Sequence, residues 1–265
     1  MDSSKYHYDE ERHHDRTILG IRFYGGPVEG AVNEMLQHGG LLVVPAAPAL
    51  VTLPTDQEYR RALLGADLAI TDSAYMVMLW NLIQTDDLPR ISGLAYLREL
   101  LGREEVQKPG DIFWVMASPA SAQKNLAWLR ENGFEVPFSY VYIAPMYGQS
   151  ELKDEALLQK LEELKPKHIV VTVGGGTQER LGLYLRDHLS YRPGIHCIGA
   201  AIAFLSGDQA AIPTWADKLY LGWLLRILDE PKRYGPRYLA ALSLARLMVQ
   251  YKSELPPLQS LPGVI

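Results

Sequence analysis

Cysteine is all but absent. The 265 residues hold one, Cys197, between Ile195-His196 and Ile198, so no intrachain disulfide closes and no Cys-based zinc site forms. Long apolar runs are missing too: no stretch reaches the roughly 18 uninterrupted apolar residues of a spanning helix, and the first residues carry no apolar signal core. The chain is therefore expected not to cross a bilayer, although it remains free to lie on one. Positive charge is in short supply, with 26 Lys and Arg against 31 Asp and Glu for a formal charge of -5. A general nucleic-acid binder needs clustered Lys and Arg, so no nucleic-acid partner is expected.

What the chain does have is apolar material and clear punctuation. With 48% hydrophobic residues it can bury a proper core as one large α/β domain or two small ones. The most informative stretch is Lys167 to Arg180, K-H-I-V-V-T-V-G-G-G-T-Q-E-R. Ile169 to Val173 is a β-branched run of the kind that fills a strand buried on both faces, and Gly174, Gly175 and Gly176 follow at once. Thr177, Gln178, Glu179 and Arg180 then lead into Leu181, Leu183 and Leu185, which predicts a helix starting near Thr177. Strand, bare turn and helix start form a ligand crevice in open α/β sheets, because the helix N-terminus offers unpaired N–H groups and glycine lets a ligand come close. A tight connection without any ligand accounts for the same letters equally well. The run matches neither G-x-G-x-x-G nor G-x-x-x-x-G-K-[ST], so no nucleotide fingerprint decides between the two.

Met1 to Arg16 is almost wholly polar. His7, His13 and His14 lie there among acidic residues, and a solvated, disordered tail fits this composition better than a metal site. The domain is expected to begin at residue 17. Thr17 to Phe23 reads as one strand, followed by a Gly25-Gly26-Pro27 turn and a helix through Val28, Ala31, Val32, Met35 and Leu36. Leu41 to Val44 is a second strand, and Thr55 with Glu58 has capping-box spacing for a helix from Asp56 through Leu64. A short strand near Ala66 to Ile70 then runs straight into Thr71, Asp72 and Ser73. Polar groups at a strand's carboxyl end are where α/β enzymes place chemistry. The competing role is capping of the next helix by Asp72 or Ser73, and local grounds favour the cap.

Further strands are expected at Asp111 to Met116, Val141 to Ala144 and Ile195 to Gly199, with helices between them. Such alternation predicts a Rossmann-like α/β domain over residues 17–213, its sheet mainly parallel with helices on both faces. From Thr214 the alternation stops. Residues 214–252 read as a helical appendage carrying Arg226, Arg233 and Arg237, whose forked guanidinium groups suit a diphosphate or else form a solvated basic face. Its last helix, Leu239 to Tyr251, is apolar enough to need a cover from a partner chain, the domain or a bilayer surface. The proline-rich residues 253–265 are expected to be loose.

In order and spacing, these segments resemble the WecG/TagA/CpsF family of bacterial glycosyltransferases from about Thr17 to Tyr238. The family's acidic helix end, short strand and proline-Asp-Gly looks like Ala66-Asp67-Leu68-Ala69-Ile70-Thr71-Asp72-Ser73. Its Gly-Ala-Pro-Lys-Gln-Glu signature is similar to Gly174-Gly175-Gly176-Thr177-Gln178-Glu179. Its carboxy-terminal Trp, Arg, Glu-Pro, Arg and Arg-Tyr are matched by Trp223, Arg226, Glu230-Pro231, Arg233 and Arg237-Tyr238.

The resemblance implies an inverting transferase that uses no metal and no cofactor. It would move a sugar from a UDP-sugar donor to a lipid-linked saccharide on a polyprenyl diphosphate, at the cytoplasmic membrane face, in cell-surface polysaccharide synthesis. Asp72 matches the proposed general base. Gly174, Gly175, Gly176, Thr177, Gln178 and Glu179, with Arg226, Arg233 and Arg237, are assigned to the donor; Thr71, Ser73, Arg90 and Tyr147 are assigned to the acceptor side or the pocket lining. Peripheral membrane contact through the C-terminal helices and a homo-oligomer belong to the same picture. Departures are as notable: Pro45 and Ala47 stand where the family usually has Thr and Asn, Ala95 and Ala203 where it has Asp, Gly222 where it has Glu, Thr177 for Lys and Ser73 for Gly. These losses of polar groups support an alternative, a catalytically silent relative that binds a sugar nucleotide or a partner transferase.

Overall fold

The computed structural model describes residues 14–148, 152–209 and 242–259. Eight strands form one sheet: β1 (Arg16–Ile18), β2 (Ile21–Phe23), β3 (Gly40–Val43), β4 (Leu68–Ala69), β5 (Ile112–Met116), β6 (Val141–Ile143), β7 (His168–Val171) and β8 (Gly194–Cys197). Across the sheet they run β1-β2-β4-β3-β8-β7-β5-β6. Every pair is parallel except β1 with β2. The central strands are apolar because both of their faces are covered: all residues of β3, β5, β7 and β8 are buried. Successive residues alternate between two cores. Leu41 and Val43 face one, and Leu42 and Val44 face the other.

The helices are α1 (Val28–His38), α2 (Ala47–Leu50), α3 (Gln57–Gly65), α4 (Ala74–Gln84), α5 (Gly93–Leu101), α6 (Pro119–Glu131), α7 (Glu155–Leu164), α8 (Thr177–His188), α9 (Ala201–Leu205) and α10 (Ser243–Tyr251). α2, α3, α4, α7, α8 and α10 contribute buried residues to the first core, and α1, α5, α6 and α9 to the second. This is the expected Rossmann-like α/β architecture, a mostly parallel sheet with helices on both faces. The chain steps from β3 back to β4, crosses to β5, and later returns through β8, which pairs with both β3 and β7. The carboxyl ends of β4, β3, β8 and β7 consequently stand side by side. Reversals of this kind open the crevice in which α/β folds bind ligands.

Local details depart from the sequence reading in three places. Thr17 to Phe23 is a hairpin and not one strand: Leu19 (φ 51°) and Gly20 (φ 79°) form a two-residue turn with both residues left-handed. The helix expected from Thr55 and Glu58 is capped by Asp56, whose carboxylate accepts from Tyr59 N–H at 2.9 Å. The tail after Ser253 is seated as far as residue 259. Leu19 and Gly20 N–H donate to Lys252 O (2.8 Å) and Ser253 O (3.0 Å), Gln259 N–H donates to Pro54 O at 2.8 Å, and the Arg60 guanidinium reaches Pro256 O. A Cβ placed on Gly20 would stand 2.5 Å from Leu255 Cβ, so the turn needs its glycine for the close approach as well as for its φ.

α10 supplies Leu244 and Met248 to the first core and packs against α4 and α2. The domain is thus the cover for that face of the helix. Among the described residues no helix is long and apolar enough to cross a membrane. Arg226, Arg233 and Arg237, the Trp223 and Glu230-Pro231 matches and Gly222 lie outside the described residues, as does the division at residue 214.

Candidate active site

The segment Thr71-Asp72-Ser73 follows β4 directly, and its three side chains take three different jobs. Ser73 caps α4, its Oγ accepting from Met76 N–H at 3.2 Å. Thr71 is fully buried; its hydroxyl donates to Pro89 O (2.7 Å) and accepts from Ile91 N–H (2.9 Å), which pins the link into α5. Asp72 is left over. Its Oδ1 accepts from Gly93 N–H at 2.8 Å, in the first residue of α5, so the carboxylate sits at the positive end of a helix dipole. Oδ2 has no partner among the described residues. Arg90 Nε donates to Asp72 O at 2.9 Å and holds the backbone of this turn.

Gly93 is the crossing point of the site. A Cβ there would lie 3.4 Å from Ile198 O, 3.8 Å from Asp72 Oδ1 and 3.8 Å from Val44 Cγ2. The ends of β3, β4 and β8 therefore converge on the start of α5. Beyond β8, Gly199 (φ 58°) brings the chain to Gln178, whose Oε1 accepts from Gly199 N–H at 2.6 Å. From Asp72 through Gly93, Ile198 and Gly199, the structure connects the acidic turn after β4 to the glycine turn after β7. The connection between the two is not visible in the chain order, where Asp72, Gly93, Gln178 and Gly199 lie far apart.

The glycine turn is bare for a reason other than packing. A Cβ on Gly174, Gly175 or Gly176 meets nothing within 4 Å, and only Gly176 (φ 88°) has a conformation that favours glycine. Gly174 and Gly175 are exposed, and Gly176 and Thr177 are partly so. Gln178 and Glu179 are not on that surface: they are 2% and 1% exposed. Glu179 Oε2 accepts from Gly176 N–H at 2.6 Å and Oε1 from Gln178 Nε2 at 3.0 Å. Burial pushes the Glu179 carboxyl up to about 7, against the opposing pull of these hydrogen bonds. Around it, burial with the Glu179 charge holds the Tyr59 phenol and the Cys197 thiol well above their ordinary values. The Tyr59 hydroxyl is buried and has no hydrogen-bond partner among the described residues.

Tyr147 stands apart. It follows β6 at the sheet's edge, with β5 between that strand and β7, and its hydroxyl donates to Asp154 Oδ2 at 2.6 Å. Tyr142 donates to the same carboxylate, which caps α7 through Leu157 N–H. Burial and then Asp154 push Tyr142 up to about 12. Of the residues that stand where the family has polar groups, Pro45, Ala47 and Ala203 are buried and Ala95 is exposed in the first turn of α5. Among the described residues no group of three or more His, Cys, Asp or Glu is arranged to hold a metal ion.

An open, mostly parallel sheet with a carboxylate and a bare glycine turn along its carboxyl edge defines a Rossmann-like α/β fold. Comparison with known proteins narrows the class. Residues 16–256 match the glycosyl transferase WecG/TagA/CpsF family, and the chain belongs to it. An N-acetylglucosaminyldiphosphoundecaprenol N-acetyl-beta-D-mannosaminyltransferase of Bacillus spizizenii is 24% identical over 213 residues, covering 78% of this chain and 80% of that protein. A Staphylococcus aureus protein of the same name is 22% identical over 196 residues, 74% of each chain. The protein is a glycosyltransferase.

Proposed function

We propose that this enzyme transfers a sugar from a UDP-sugar to a lipid-linked saccharide carried on a polyprenyl diphosphate, with inversion at the anomeric carbon, in cell-surface polysaccharide synthesis. The acceptor is supported by the two relatives' names, which specify a diphosphoundecaprenol-linked sugar. The observation that carries the mechanism is the division of labour after β4: Ser73 does the capping, and Asp72 keeps a carboxylate oxygen for chemistry.

In this reading the acceptor hydroxyl gives its proton to Asp72 Oδ2 as its oxygen bonds to the anomeric carbon, and the bond from that carbon to the diphosphate oxygen breaks with UDP leaving. The charge on the departing diphosphate falls to the positive end of the α8 dipole, reached across Gly174 and Gly175, and to Arg226, Arg233 and Arg237. Arg90 and Ser73 act on Asp72 and its turn, and Thr71 fixes the approach to α5. The test is UDP release from a panel of UDP-sugars with short polyprenyl-diphosphate saccharides, comparing the native enzyme with Asp72→Asn. Turnover that survives the substitution removes Asp72 as the base, and turnover abolished by a chelator removes the metal-free reading.

A second reading is favoured by Ala47, Ala95 and Ala203, which offer no polar group where relatives of this family carry one. In that reading the protein binds a sugar nucleotide without turning it over. UDP binding with no release from any donor and acceptor pair supports it.

A further inference from the structure

We propose that Gln178 and Glu179 are positioning residues that clasp the glycine turn after β7 to the Ile198-Gly199 turn after β8, and that neither side chain touches the donor. The bonds form one continuous run. Gly176 N–H donates to Glu179 Oε2 (2.6 Å), Gln178 Nε2 to Glu179 Oε1 (3.0 Å), and Gly199 N–H to Gln178 Oε1 (2.6 Å). Donor and acceptor chemistry leaves little choice in the assignment. In its ionised form Glu179 only accepts, so it takes the backbone N–H and the amide NH2, and the Gln178 carbonyl is then the group left for Gly199. A fourth bond reaches the backbone of Gln178, where Cys197 Sγ donates to Gln178 O at 3.1 Å.

Burial argues against a contact with the donor. The two side chains are 2% and 1% exposed while the neighbouring Gly174 and Gly175 face solvent. The Glu179 charge is felt by the buried Tyr59 of α3 and Cys197 of β8, and Arg180 on its own helix acts on it in turn. A ligand in the crevice thus meets the backbone of the two turns, and the side chains behind decide how far apart those turns stand. Sequence reading assigned both residues to donor hydroxyls; the clasp assigns them to the walls.

The clasp makes a non-local demand: removing Glu179 must loosen Gly199, to which it is not hydrogen-bonded. Amide hydrogen exchange on Glu179→Ala is expected to show protection lost together at residues 174–178 and 198–199. Glu179→Gln, which keeps an acceptor for Gly176, is expected to restore part of it and guards against a variant that simply fails to fold. Protection at 198–199 that stays at the native level in Glu179→Ala, with the native melting temperature, overturns the clasp.

The role toward the donor rests on the reading above and is tested separately. Loss of one such buried link is expected to weaken UDP about tenfold, and to weaken 2′-deoxy-UDP equally, since no ribose hydroxyl is touched. A loss confined to UDP overturns the positioning role in favour of direct contact. A native enzyme that binds no UDP removes the donor reading, and the exchange experiment still decides the clasp.

Discussion

The role proposed for Asp72 turns on which neighbour does the structural work. Thr71 and Ser73 each use their hydroxyls on the backbone, and the carboxylate between them is released from capping α4 and gives one oxygen to the first N–H of α5. Asp72→Asn is therefore expected to cut kcat about a hundred- to ten-thousandfold, the usual worth of a general base, while the melting temperature stays put. Ser73→Ala is expected to do the reverse, costing about 1 kcal/mol of stability through the lost cap, as read from urea unfolding. Glu179 contributes a pH dependence of its own. Its folded value, about 7, lies above the ordinary 4.5, so its contribution to stability is full below about pH 4.5 and is lost as pH rises through about 7. Unfolding free energies from urea titrations at pH 5 and pH 8 are expected to differ by up to about 2.5 kcal/mol more in the native chain than in Glu179→Gln.

At the scale of elements, the β7 turn and α8 were plain from their letters because a buried β-branched run, three glycines and a leucine-bearing helix leave few arrangements. The β1–β2 hairpin was not. Its turn is Leu19-Gly20, without the Asn or Asp that normally marks a left-handed first position, and Leu19 tolerates that conformation because it is fully buried and its N–H is taken by Lys252 O. The glycine turn divides by position. Gly175→Val is expected to leave stability within about 0.5 kcal/mol, since a Cβ there meets nothing within 4 Å, yet to weaken UDP binding by closing the approach. Gly176→Ala is expected to cost about 1 kcal/mol at its positive φ. Calorimetric titration with UDP alongside thermal melts separates the two, and a Gly175→Val chain that binds UDP like the native one removes the turn from the donor site.

Over the described residues, segments that are far apart in sequence close on each other. The segment 252–259 is bonded to the β1–β2 turn, to the segment before α3 and to Arg60 of α3, so deletion after Lys252 is expected to lower the melting temperature by several degrees. α10 beside it buries Leu244 and Met248 but leaves Leu242 59% and Val249 60% exposed. We propose this outer face for peripheral membrane contact, and the pair Leu242→Ser and Val249→Ser is expected to reduce flotation with anionic liposomes. Unchanged flotation assigns any membrane contact elsewhere.

The amino-acid order was enough for the alternation of strand and helix, the two-sided burial of the sheet and the family, because hydrophobic period and glycine punctuation are local properties. It also nominated Asp72 and the glycine run as candidates. It left open whether Asp72 caps a helix or faces a crevice, and it turned Gln178 and Glu179 toward the ligand. Those questions depend on β8 inserting between β3 and β7 and on α5 starting beside β4, contacts between residues dozens of positions apart. Which polar group satisfies which is a matter of partners, and the partners are brought together only when the sheet closes.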